Sequence, residues 1–83
     1  MQGREVWREL QLLLSLNLPD EAWYQWRATA VCCACDDERL VIGAPTEQSA
    51  RQLVVAYLPV VRRTLRAIPD APSDVRVVVA GGR

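Results

Sequence analysis

The stretch Thr29-Ala30-Val31-Cys32-Cys33-Ala34-Cys35-Asp36-Asp37-Glu38-Arg39-Leu40-Val41-Ile42-Gly43-Ala44-Pro45 decides which kind of fold this chain can adopt. Two runs of small and β-branched residues, Thr29 to Cys35 and Leu40 to Ala44, flank four polar residues that suit a solvated turn. The pattern predicts two strands joined as a hairpin, with Asp36, Asp37, Glu38 and Arg39 at its tip. Pro45, which has no N–H to give to a ladder, closes the second strand.

All three cysteines of the chain lie in the first run, and Cys32 with Cys35 spells C-x-x-C. On a regular strand, residues three apart point to opposite faces, so these thiols are expected to diverge. A tetrahedral zinc site takes four ligands, and the chain has neither a fourth cysteine nor any histidine. We therefore expect no metal and no cofactor, and read the cysteines as small apolar side chains. Alternation puts Val31, Cys33 and Cys35 on one face and Ala30, Cys32 and Ala34 on the other. With the Val31 face assigned to the core, Cys32 is expected to be the most exposed thiol. A calcium loop would need alternating ligands, a turn glycine and a distant bidentate Glu, so the three acids read as a hairpin tip.

Helical periodicity surrounds the hairpin. Upstream, Val6, Trp7, Leu10, Leu13, Leu14 and Leu18 recur at three- and four-residue steps and predict an amphipathic helix from Glu5 to Leu16. Pro19 ends it and is expected to open a second helix through Arg27, with Asp20 and Glu21 at the positive end of the dipole. Downstream, Thr46 is a candidate N-cap for a long helix whose apolar face is Ala50, Leu53, Val54, Tyr57, Val61, Leu65 and Ile68. Pro59 interrupts that pattern and predicts a bend near Val55 to Pro59 or two abutting helices. A turn-rich loop from Pro69 to Asp74 leads to a third strand, Val75 to Val79. The order is α-α-β-β-α-β, which implies an α+β fold of two layers: a small mixed three-stranded sheet with helices over one face.

At 83 residues the chain forms one small domain, placed at residues 1–80, with 81–83 as a frayed end or the start of a linker. Ten arginines balance ten acids, which excludes a global attraction to nucleic acid or anionic membrane. The longest apolar runs fall short of the roughly 20 residues that cross a bilayer, and the N-terminus has no signal-peptide pattern. A cytoplasmic protein with reduced thiols is expected. Ser15, Ser49 and Ser73 have no histidine to activate them, and no glycine-rich phosphate loop occurs, so no enzyme activity is expected.

Two features remain for binding. Arg62, Arg63 and Arg66 cluster near the end of the long helix, either as solvated, dipole-compensating side chains or as contacts for single-stranded nucleic acid. Trp7, Trp23 and Trp26 are dense for so short a segment, and large aromatics anchor interfaces when the core does not absorb them. The place of Trp26 at the helix end, against the hairpin, favours the core.

In sum these residues resemble the N-terminal domain of the bacterial replication initiator DnaA. The likeness is a spaced pattern over residues 5 to 80. It runs through Trp7 and Leu10, Leu18-Pro19, Trp23 and Trp26, Asp36-Asp37, Leu40-Val41-Ile42-Gly43-Ala44-Pro45, Tyr57-Leu58 and the strand Val75 to Val79. It implies a compact KH-like fold and a protein-recruitment module that associates with itself, helps to load the replicative helicase and receives initiation regulators. Within the resemblance, Trp7 takes the self-association position. The partner-binding face comprises Glu21, Ala22, Trp23, Gln25 and Trp26 of the second helix with Thr46, Gln48 and Gln52 at the start of the long one. The sequence departs from the family at several of these positions. Thr46 replaces a usual Asn, Gln48 and Gln52 replace aromatics, and Ala22 stands at an acidic position beside Glu21. The alternatives are a KH-like module holding single-stranded DNA weakly through Arg62, Arg63 and Arg66, which lacks the GXXG clamp, and a stand-alone copy of the domain that modulates initiation.

Overall fold

A computed structural model of the chain describes residues 3–80. Helix α1, Gly3–Asn17, buries Val6, Leu10 and Leu14 at four-residue steps, with Trp7, Leu13 and Leu18 half-buried beside them. Helix α2 spans Asp20–Thr29. Pro19 is its N-cap in extended conformation (ψ 156°), one residue before the first helical position expected for it. The Pro19 carbonyl accepts from the Trp23 N–H at 2.9 Å, so the proline starts the helix through its oxygen and its missing N–H costs nothing.

The hairpin pairs β1, Val31–Cys35, with β2, Arg39–Ala44, in antiparallel fashion, and β2 pairs in parallel with β3, Asp74–Val79. The sheet is therefore mixed, in the order β1-β2-β3, and the fold is α+β as the element order implies. Leu40, Ile42 and Ala44 of β2 are buried on the face that packs against the helices. Val31, Ala34, Arg76 and Val78 are exposed on the strands, leaving the opposite face open. At the tip, the Asp36 carboxylate accepts from the N–H groups of Glu38 and Arg39, both at 2.8 Å, which is the local bonding that recruits Asp to turns. These bonds hold the Asp36 carboxyl below its ordinary pKa.

Strand β1 departs from the expected alternation. Cys32 stands opposite Ile42 and Ala34 opposite Val41, so Cys33 is an extra, bulged residue. The faces of Val31, Cys32 and Cys33 are the reverse of those expected, and the bulge then returns Cys35 to the inward place expected for it. Cys32 packs half-buried against the core, Val31 and Cys33 are exposed, and Cys35, opposite the buried Leu40, again points inward. Cys32 and Cys35 thus share a face instead of diverging, and Cys33, not Cys32, is the exposed thiol. Gly43 accommodates this bend. A Cβ built on it would lie 2.5 Å from the Cys33 sulfur and 2.6 Å from the Ala80 methyl, so only glycine leaves room.

Beyond β2 the long helix comes in three parts: α3 (Glu47–Gln52), a π-helical turn (Leu53–Tyr57) and α4 (Leu58–Leu65). Thr46 caps it as predicted, its Oγ1 accepting from the Ser49 N–H at 3.0 Å. Pro59 has no N–H for the Val55 carbonyl and would press on it in a regular helix. The turn before it widens instead, with the Leu58 N–H donating to Leu53, five residues back. The helical path continues past Pro59, with a π turn where a bend or a break was expected. A stripe at steps of four drifts around a helix of about 3.6 residues per turn, and the wide turn absorbs part of that drift. Leu53, Tyr57, Val61 and Leu65 therefore all stay inward, while Val54, expected in the core, is exposed.

Asp70 takes a left-handed φ of 64° in the following loop, a conformation Asp tolerates. Arg39 and Asp74, neighbours in the β2–β3 register, pair at 2.8 Å, and the hydrogen bond from Arg39 lowers the pKa of Asp74. The frayed end or linker expected at 81–83, like residues 1–2 of the domain, lies outside the described residues. Among the described residues no helix is long and apolar enough to cross a membrane.

Candidate partner-binding face

Three aromatic residues from three elements meet beneath the helical surface. Trp26 of α2 is fully buried and lies between Trp7 of α1, at 6.1 Å between ring centroids, and Tyr57 of the π turn, at 5.7 Å. Both pairs are tilted, within the range aromatic rings prefer. The Trp26 indole N–H donates to Gln11 Oε1, so its one polar atom is satisfied inside the core. The Tyr57 hydroxyl reaches the Ala22 carbonyl at 3.3 Å and Gln25 Oε1 at 3.4 Å, which ties the π turn to α2. The stack is thus a brace connecting α1, α2 and the long helix.

Above it, between α2 and α3, runs a groove of about 250 Å³. Gln25, Ala28 and Thr29 form one wall, Ser49 and Gln52 the other, and Leu53 and Tyr57 the floor. Its rim is amide and hydroxyl, with no ionisable side chain except the Tyr57 phenol. Such a lining offers hydrogen-bonding groups and shape, without formal charge.

The predicted residues distribute as follows. Gln25 and Gln52 face each other across the groove. Ala22 is half-buried and contributes its carbonyl to Tyr57. Trp23 is half-buried with the Arg27 guanidinium 5.9 Å from its ring centroid, a cation–π arrangement that covers part of the ring. Glu21, Thr46 and Gln48 are exposed but outside the groove, and Thr46 is occupied by its cap. Trp26 does not belong to a surface face: its side chain is wholly inside, as its place against the hairpin suggests. Trp7 is half-buried, with its inner side on Trp26. Arg62, Arg63 and Arg66 are exposed and do not line this groove; they border a second, larger groove of about 550 Å³ with Val54, Leu58 and Pro59.

Tyr24, 63% exposed, is an aromatic that sequence reasoning passed over. The signal was present, because Trp23 and Trp26 define the inward stripe of α2 and Tyr24 falls off it. Leu12 and Leu16, four apart on α1 and both exposed, were likewise hidden among inward leucines. On β1, burial is the largest cause raising the thiol pKa of both Cys32 and Cys35, and repulsion from a neighbouring thiolate adds to it. Both thiols are therefore held protonated, the opposite of an activated nucleophile. Neither the known family models nor the curated proteins include a match to this sequence.

Proposed function

We propose that this chain is a protein-interaction domain of the DnaA N-terminal type, which recruits replication partners and associates with itself in the cytoplasm. The observation that carries the reading is the Trp7–Trp26–Tyr57 brace beneath the α2–α3 groove. It fixes two helix faces rigidly and leaves the outer part of Trp7 accessible, as an anchor for a second copy requires. The neutral lining of the groove further supports a partner read by shape and hydrogen bonds, in the role of a replicative helicase or an initiation regulator. The polar Gln48 and Gln52, in place of aromatics, make this a face of modest affinity, suited to reversible recruitment.

Light scattering after size exclusion, over a concentration series, tests self-association. The weight-average mass is expected to rise with concentration for the wild-type chain and to stay monomeric for Trp7→Ala, with circular dichroism confirming that the variant is folded. Identical monomer masses for both would refute self-association through Trp7. For the groove, amide shifts on adding a replicative helicase are expected at Gln25, Ser49 and Gln52; shifts elsewhere only would move the partner face.

A further inference from the structure

The second groove, on α4, is built differently. Its apolar lining is Val54, Leu58 and Pro59, and its cations are Arg62, Arg63 and Arg66. Among the described residues none of these three arginine side chains makes an ion pair or a hydrogen bond, whereas Arg39, Arg51 and Arg76 are each paired with an acid. The segment from Gln52 to Pro69 contains no Asp or Glu at all, so three positive charges stand together in a chain whose net charge is zero. The α4 face is a local cationic patch that the protein itself does not neutralise.

The apolar part is unusually open for valine-rich helix. Val54 is 44% exposed and the adjacent Val55 76%, because the π turn carries Leu53 and Tyr57 inward in their stead. Aliphatic surface beside unpaired guanidinium groups is complementary to one kind of ligand: carboxylates interleaved with aliphatic side chains. Arg62 and Arg66 are four apart on one helix face, about 5–6 Å between Cβ atoms. Carboxylates two apart on an extended segment, or four apart on a helix, match that spacing and can each take a bidentate guanidinium. Single-stranded nucleic acid fits less well. It binds through basic grooves that carry aromatic platforms, and the one aromatic of this segment, Tyr57, is buried toward Trp26.

We infer that the α4 groove is a docking site for an acidic peptide segment bearing aliphatic anchors, separate from the α2–α3 face and independent of the role proposed for it. The recognition is two-part: Arg62, Arg63 and Arg66 pair with carboxylates while Val54, Leu58 and Pro59 cover leucine-type side chains.

The test uses the 83-residue chain, labelled with nitrogen-15, and a synthetic peptide alternating Glu and Leu. Titration is expected to move the amides of Val54, Leu58, Arg62, Arg63 and Arg66 and to leave Gln25 and Ser49 in place. Replacing the leucines by alanine is expected to weaken binding about tenfold or more, since burial of each leucine contributes. The pair Arg62→Gln with Arg66→Gln, on exposed side chains, is expected to weaken it similarly while the spectrum elsewhere stays that of the folded wild type. Equal binding of the Glu–Ala peptide would overturn the apolar half of the inference, and absence of shifts on α4 would overturn it entirely. Two further outcomes also reject it. One is tight binding of oligo-thymidine to α4 with no peptide binding, which assigns the groove to nucleic acid. The other is concentration-dependent α4 shifts in the peptide-free protein that vanish on Asp36→Asn with Asp37→Asn, which assigns it to the hairpin tip of a second copy.

Discussion

The two grooves lie along the same long helix and both draw on the π turn, yet they stand in different relation to the core. The α2–α3 groove rests on Leu53 and Tyr57, both buried, with Trp26 directly behind. The α4 groove is lined by side chains that are mostly exposed, and only Leu58 among them packs on the core. At the first, the groove floor and the core share the same residues; at the second, the lining is mostly separate from the core. A surface of the first kind is rigid and hard to alter without unfolding the domain. A surface of the second kind can change its partner with little effect on the fold.

Mutation can break this contrast at its strongest point. Trp26→Ala removes the centre of the aromatic brace and is expected to cost about 3–5 kcal/mol, read from urea denaturation. A loss under about 1 kcal/mol would mean that the brace does not hold the helices together. Tyr57→Phe keeps the ring but deletes the hydroxyl that reaches Ala22 and Gln25, and about 1 kcal/mol is expected to go with it. That effect should come with amide shifts along the α2–α3 groove and none at Arg62 or Arg66. At the other surface, Arg62→Gln with Arg66→Gln should change stability by no more than about 0.5 kcal/mol. A larger loss would place these arginines in the fold and erase the distinction.

The smallest expected effect concerns strand β1 and leaves stability untouched. A thiol probe at neutral pH should label Cys33 first, with Cys32 and Cys35 lagging. Because the pKa values of the two slower thiols are raised, their labelling should accelerate only as the pH climbs past the ordinary thiol range, about 8.5. Reading the labelled positions by peptide mapping checks the order, and Cys32 leading would put the Val31 face inward, as first expected.

The element order, the mixed sheet, the Thr46 cap and the Asp36 turn were all legible, because each depends on residue type at fixed local spacing. The face of β1 was not. A bulge is set by what lies across the ladder, here a glycine with room for the Cys33 sulfur, and strand periodicity read along one strand carries no trace of it. Pro59 announced a disturbance but not its form, since a break, a kink and a π turn all answer the same missing N–H. Val54 was misplaced for that reason. At the candidate site, the sequence located Gln25 and Gln52 on the α2 and α3 surfaces, but their meeting across one groove depends on tertiary packing. Tyr24 was readable from the helical stripe alone, while the seat of Trp26 between Trp7 and Tyr57 required three elements to be assembled.

The π turn also fixes an angle. Each residue of an α-helix advances about 100° around the axis, and the wide turn takes up one residue that would otherwise turn everything beyond it by about that much. Deleting Ala56 would leave Leu53, Tyr57, Val61 and Leu65 at steps of three, four and four, an ordinary α-helical stripe with all of them still facing the core. The arginine row would keep its direction, but Pro59 would then press on the carbonyl four residues back in a regular turn. The wide turn works like an indexed joint in a shaft, taking up one residue while the cationic end of the helix keeps its direction relative to the aromatic end.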